Sequence, residues 1–185
     1  MAELLVQGTW GTTYGVGQVL FKATPMIFTG LAVDLGLRAG LFNIGAEGQL
    51  TAGSLAAAFV GTCIPHHTPS WVALPLALGA AMMAGAAWAA VPALMKTRFG
   101  AHEVISTIMM NRISDSAVGI VLGVAGLALP GTVRTADVAV SARLSKLERW
   151  VPSLAGSAVS SAVVLGIVAA FAFVALYKST RFGRE

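Results

Sequence analysis

Gly40-Leu41-Phe42-Asn43-Ile44-Gly45-Ala46-Glu47-Gly48-Gln49 is the stretch whose reading decides the fold. Apolar segments flank it on both sides, yet it is itself polar, with one carboxylate, two amides and three glycines. Each glycine costs about 1 kcal/mol against alanine in a helix, so the run argues against regular helix. In a water-soluble chain it would read as an ordinary loop. This chain is not of that kind. It is 56% hydrophobic and only 11% charged, with a mean hydropathy of +0.79, whereas soluble domains carry roughly 25% charged residues. The composition is that of an integral membrane protein. In lipid, non-helical polar backbone persists only where protein buries it or where it lines a watery cavity. The fold expected is therefore all-α: a polytopic transmembrane helix bundle with one broken or re-entrant helix near residues 40–49, forming a single domain over 1–185.

Working outward, an apolar segment over 16–37 precedes the stretch, interrupted by Lys22, Pro25 and Asp34 and closed by Arg38. Asp34 and Arg38 are spaced to pair across one helical turn. After the stretch, 50–64 is short for a span; joined to the stretch's last residues, as 46–64, it suffices. The turn Pro65-His66-His67-Thr68-Pro69-Ser70 closes it. A third span, 71–95, holds no charge and is rich in Ala and Gly, including Gly79, Gly85 and Ala86-Ala87. Small residues let helices approach closely where lipid supplies no drive for association. A fourth span, 104–129, carries Asn111, Arg112 and Asp115 in its first half. A charge at a helix centre costs roughly 2.5–3.5 kcal/mol on insertion scales, and Arg112 and Asp115, one turn apart, can offset each other. Gly119 and Gly123 form a Gly-x-x-x-Gly contact face. The polar connector 130–152 is long enough to fold partly on itself or to serve a partner. The last span is 153–177, followed by Lys178, Arg181 and Arg184. At the chain's beginning, Trp10 and Tyr14 read as interfacial anchors.

Charge and cysteine narrow the function. The net charge of +4 and pI of about 9.7 arise from scattered basic residues that flank apolar runs. They read as topology signals rather than as a nucleic-acid surface. Alternating spans place Arg38, Lys96, Arg98, Lys178, Arg181 and Arg184 on one side, read as cytoplasmic. Cys63, the sole cysteine, allows no internal disulfide or multi-cysteine zinc site. The first thirteen residues lack a signal-peptide pattern, and no P-loop occurs. His66-His67 is a poor metal pair from so short a loop, and no metal site is expected. Met82-Met83 and Met109-Met110 read as packing.

Two motifs carry a resemblance. Arg38-Ala39 with the opening stretch, through Gln49, resembles the signature of permease subunits of bacterial ABC importers. The group is that of ribose and branched-chain amino acid permeases, in its nucleoside and simple-sugar branch. Glu103-Val104-Ile105-Ser106-Thr107-Ile108-Met109-Met110-Asn111 is similar to that branch's Glu-Val-Ile-x-Thr-Ile-Met-Leu-Asn run. Ala23-Thr24-Pro25, Ser141-Ala142-Arg143-Leu144 and Thr180-Arg181-Phe182-Gly183 are weaker echoes. The chain departs from the pattern at His102, where the family has Asn, and lacks the proline expected after the Ala-Arg-Leu step.

The resemblance implies a membrane-spanning permease subunit of an ATP-driven, binding-protein-dependent importer for nucleosides or simple sugars. It implies ATPase subunits on the cytoplasmic side, which would bind the ATP, a second permease subunit and an extracytoplasmic solute-binding protein. The location implied is the bacterial plasma membrane. No cofactor and no covalent chemistry belong to this chain itself, so it is not read as an enzyme. The family also implies a helix ahead of Met1 and, beyond Thr-x-Phe-Gly, a loop that docks on the ATPase and further helices. The chain therefore reads as a partial or shortened permease.

Candidate residues for the transport pathway or family motif are Asn43, Gly45, Glu47, Gly48, Gln49, Glu103, Thr107 and Asn111. Asn43, Glu47 and Gln49 either offer hydrogen bonds to a hydroxyl-rich solute or satisfy the broken backbone around them. Thr107 and Asn111 share a helix face, turned to the pore or to another helix. Arg112 and Asp115 read as a structural pair. Two other classes remain open: an ion-coupled carrier or channel using Glu47 or Asp115, and a non-transporting truncated membrane component.

Overall fold

The structure, a computed structural model, describes residues 2–65, 67–124, 126, 128–129, 132 and 134–179. His66 and the Thr180-Arg181-Phe182-Gly183 echo lie outside them. The described chain is all-α: helices α1 (Ala2–Thr9), α2 (Thr13–Arg38), α3 (Ala46–Cys63), α4 (Ser70–Phe99), α5 (Glu103–Val124) and α6 (Ala162–Ser179), with short 3-10 turns at Val140–Ala142, Leu147–Arg149 and Pro152–Leu154. Its only extended pairings among the described residues are two isolated bridges, Ala128 with Thr135 and Lys146 with Ser160. The apolar segments become helices because nothing else satisfies every backbone group away from water. Among the described residues, α2, α4 and α6 are long and apolar enough to cross a membrane.

The chain divides into two compact units, Met1–Ala32 with Leu144–Glu185, and Val33–Arg143. In the first, Leu154, Val159 and Val163 form a small core against Leu20 and Leu147. The Cα of Gly17 lies against Ser157, where an added Cβ would come within 2.5 Å of the serine Cβ. The helix α6 begins at Ala162 rather than at Ser153. Upstream of it, Ser157 donates its hydroxyl to the Leu154 carbonyl at 2.7 Å, and Ser160 accepts from the Ala162 amide. Such local side-chain bonds offer the backbone an alternative to helix. The short helix α1 was not foreshadowed by the mixed composition of the first residues.

In the second unit α3, α4 and α5 pack together. The Ala- and Gly-rich α4 does what its composition predicts: Gly53 of α3 sits against the Ala81 carbonyl, and Gly85 against that of Gln49. Gly79, Gly119 and Gly123 have open space around them instead. The connector after α5 folds back on the bundle, with the Ala139 amide donating to the Gly61 carbonyl at 3.0 Å. Ala139 is buried there with Ile64 and Ala73. The Asp34–Arg38 pair forms at 2.9 Å, and Arg112–Asp115 is a loose, exposed contact at 3.8 Å.

The break in the chain is shorter than the sequence suggests. Residues 39–45 are non-helical, whereas Ala46, Glu47, Gly48 and Gln49 form the first turn of α3. Gly40 ends α2 in the left-handed region (φ +72°), with its amide on the Leu37 carbonyl and that of Leu41 on Gly36. This is the Schellman ending that glycine favours. Gly48 remains helical because its lack of a side chain is used for packing.

Candidate functional site

The first turn of a helix leaves four N–H groups without partners inside the helix. Gly45, at the N-cap of α3, has no side chain to accept one. Its neighbour and a distant helix do so instead. Asn43 Oδ1 accepts the Gly45 amide at 3.0 Å, an Asx turn, and also the Gln49 side-chain amide at 3.3 Å. Asn111, sixty-three residues away on α5, accepts the buried Gly48 amide at 2.9 Å and donates Nδ2 to the Ile44 carbonyl at 3.0 Å. One amide thus caps α3 from outside and fastens the connector that precedes it.

The same face of α5 continues in both directions. Glu103 Oε1 accepts the Phe42 amide at 3.1 Å. Thr107 is buried and packs its methyl side against Gly45, while its hydroxyl donates to the carbonyls of Glu103 and Val104. Ser114 donates to the Asn111 carbonyl at 2.6 Å. Residues 103, 107, 111 and 114 share one face by the helical repeat, and all four lie against the 42–48 stretch. The stretch and α5 are therefore one polar assembly.

Glu103 also carries the site's charge. Gly100, at φ +65°, caps α4 with its amide on the Lys96 carbonyl, an αL ending. The turn it allows brings Glu103 back to Lys96, whose ammonium donates to Glu103 Oε2. That hydrogen bond, then the one from the Phe42 amide, holds the Glu103 carboxyl below its ordinary value of 4.5. Desolvation opposes the shift, and the charges of Lys96 and His102 add to it.

A cavity of about 180 Å³ lies within this unit, lined by Asn43, Gln49, Glu103 and Thr107 together with Lys96, Pro92 and apolar side chains. Four of the eight residues singled out from sequence thus meet at one cavity. Gly45, Gly48 and Asn111 stand behind its wall and shape it. Glu47 stands apart: its side chain is exposed, and only its backbone carbonyl is engaged, by Thr51.

Sequence reasoning missed three residues. Ser114 follows Asn111 by one helical turn, a periodicity that could have found it. Lys96 was read for topology alone. Trp88 turns its indole toward Gly48, where an added Cβ would lie 2.8 Å from Nε1, 2.9 Å from Asn111 Oδ1 and 3.2 Å from Ser114 Oγ. Its buried N–H has no partner among the described residues, and no local pattern marks it.

Comparison with known proteins decides the family. The family model described as branched-chain amino acid transport system / permease component matches residues 15–185. The chain belongs to that family. It is a membrane protein by family and by its apolar helices. The guanosine ABC transporter permease protein NupP of Bacillus subtilis (strain 168) is 49% identical over 110 residues, 60% of this chain and 31% of the relative. The glucose ABC transporter permease protein TsgB13 of Haloferax volcanii is 41% identical over 107 residues, 58% of this chain and 28% of the relative. The nucleoside ABC transporter permease protein NupB of Lactococcus lactis subsp. cremoris is 33% identical over 103 residues, 56% and 28%. The chain thus matches less than a third of the length of each of these permeases. No solved structure matches it.

Proposed function

We propose that this permease-family chain contributes membrane-spanning helices to an ATP-driven, binding-protein-dependent importer of nucleosides or simple sugars. Its partners in that role are ATPase subunits on the cytoplasmic side, a second permease subunit and an extracytoplasmic solute-binding protein. Its place is the bacterial plasma membrane, which it crosses several times. Relatives named for guanosine, nucleosides and glucose support the cargo class.

The observation that carries the reading is the polar assembly between the 42–48 stretch and α5, built around a cavity. A membrane protein gains nothing for stability from a non-helical, amide-rich segment that α5 must satisfy bond by bond. It gains a wall that can present polar groups to water or to a hydroxylated solute. In this role Asn43, Gln49, Glu103 and Thr107 border the path, and Gly45, Gly48 and Asn111 hold its shape. Glu47 serves outside the cavity, facing water or a neighbouring subunit. Transport then needs two packings of the bundle between which the partner ATPases drive it.

Uptake of radiolabelled guanosine, a second nucleoside and glucose by a strain lacking the gene tests the proposal. Uptake of at least one is expected to fall to background and to return with the gene on a plasmid; unchanged uptake of all three removes the reading. The purified chain alone in liposomes under an imposed ion gradient should move none of these solutes. Movement there identifies an ion-coupled carrier instead.

A further inference from the structure

Lys96 and Glu103 border two cavities. The inner one, of about 180 Å³, is the cavity described above. An outer one of about 320 Å³, beside the α4–α5 turn, is lined by Lys96, Gly100, Ala101, His102 and Glu103. No other described residue lines both. The hydrogen-bonded ion pair between them therefore stands where the two spaces meet.

We propose that the Lys96–Glu103 pair is a gate between the inner cavity and the water at the α4–α5 end of the bundle. The proposal rests on the transport reading above and adds to it a residue, Lys96, with a defined role. Size argues for it first. Small-molecule sites occupy roughly 300–1,000 Å³, so the inner cavity is too small for a nucleoside or a sugar with its hydration. Opened into the outer one, the combined space falls inside that range.

The chemistry of the pair argues for it next. Its side chains are 35% and 22% exposed, so water can replace either partner when they separate, and a partly solvated pair of this kind holds weakly. It is a barrier that can be opened. Glu103 is also the acceptor for the Phe42 amide. A movement that carries Glu103 away from Lys96 therefore acts on the 39–45 connector as well, and gate and connector change together. The opening would turn this end of α5 relative to α4 at the left-handed Gly100, where glycine adopts the backbone without strain.

The test measures water access to the inner cavity in membrane vesicles holding the assembled transporter. Cys63 is replaced by alanine, and Thr107→Cys places a thiol at a position that is 4% exposed and lines the inner cavity. Its labelling by a small charged methanethiosulfonate is timed. Labelling is expected to be slow with the pair intact, at least tenfold faster with Lys96→Met or Glu103→Gln, and slow again in the charge-reversed double variant Lys96→Glu/Glu103→Lys. Unchanged rates in both single variants overturn the gate. So does fast labelling that the reversal leaves fast, or an equal rise at a buried control, Ala77→Cys, outside both cavities; each means general loosening. Guanosine, nucleoside and glucose uptake in the same vesicles separates the two proposals. Labelling that follows the pair without uptake of any solute by the parent removes the transport reading and leaves the gate. Uptake with unresponsive labelling does the reverse.

Discussion

Gly48 shows how a single residue without a side chain organises the site. Its amide must be accepted, and the acceptor, Asn111 Oδ1, can reach it only because no Cβ stands between α3 and α5. Gly48→Ala would push against Asn111, Ser114 and the Trp88 indole together, and overpacking of this kind costs about 1–3 kcal/mol. Gly119→Ala, in open space, should stay within about 0.5 kcal/mol of the parent. Denaturant unfolding of both variants in the same lipid–detergent mixture makes the comparison; equal midpoints contradict the packing described. Asn111→Leu fills similar volume but leaves the Gly48 amide and the Ile44 carbonyl without partners, each unpaired group costing about 1–3 kcal/mol. It should be the more damaging change. At this scale the sequence was readable where a residue's chemistry is unusual for its surroundings. Glu103 entered through the family motif, and Asn43 and Asn111, polar in apolar company, were found directly. Lys96 was not, because its partnership depends on the αL turn at Gly100, and a basic residue at a span's end has a sufficient explanation in topology.

At the scale of elements, the start of α5 and the connector before α3 form one unit, joined by Glu103. Its carboxyl is held below the ordinary value by the Lys96 hydrogen bond first and the Phe42 amide second. A folded-state value below the unfolded one means that the ionised form contributes stability above about pH 4.5, and that the contribution is lost as pH falls through the lowered folded value. Hydrogen exchange at the Phe42 amide should therefore stay equally protected from neutral pH down to the ordinary carboxylate range, after correction for the intrinsic rate. Protection should weaken below it. The Glu103→Gln variant should show no such step; a step of the same size in that variant assigns the effect elsewhere. The spacing of Thr107 and Asn111 made this face of α5 legible in advance, and the family motif added Glu103 to it. The exact length of the break was not, because counting glycines treats Gly48 as a helix breaker, and only its partner on α5 shows why the helix admits it. The late start of α6 was hidden for a similar reason: apolar residues near Ser153 outweighed serines that bond locally.

For the whole molecule, composition alone separates this chain from soluble domains, and the helices then divide by chemistry. The helices α2, α4 and α6 meet the length and hydropathy of a span. Neither α3 nor α5 does among the described residues: α3 has Glu47 and many small residues, and α5 carries Glu103, Arg112 and Asp115. These are also the helices that supply the polar groups of the site. Charges in a membrane segment are tolerated where they face protein or a watery cavity, which is the place that the transport role proposed above gives α3 and α5, while α2, α4 and α6 can meet lipid. That division requires the chain to enter the membrane in one orientation. By the distribution of Lys and Arg, with Arg38, Lys96 and Arg98 at one end and none in the turn between α3 and α4, the proposed importer would hold the α4–α5 turn in the cytoplasm and the α3–α4 turn outside. In a Cys63→Ala background, His67→Cys should label in intact cells with a membrane-impermeant maleimide, whereas Arg98→Cys should label only after permeabilisation. The opposite pattern reverses the orientation and moves the Lys96–Glu103 gate to the outer face, where it would control entry of solute from the binding protein rather than release into the cell.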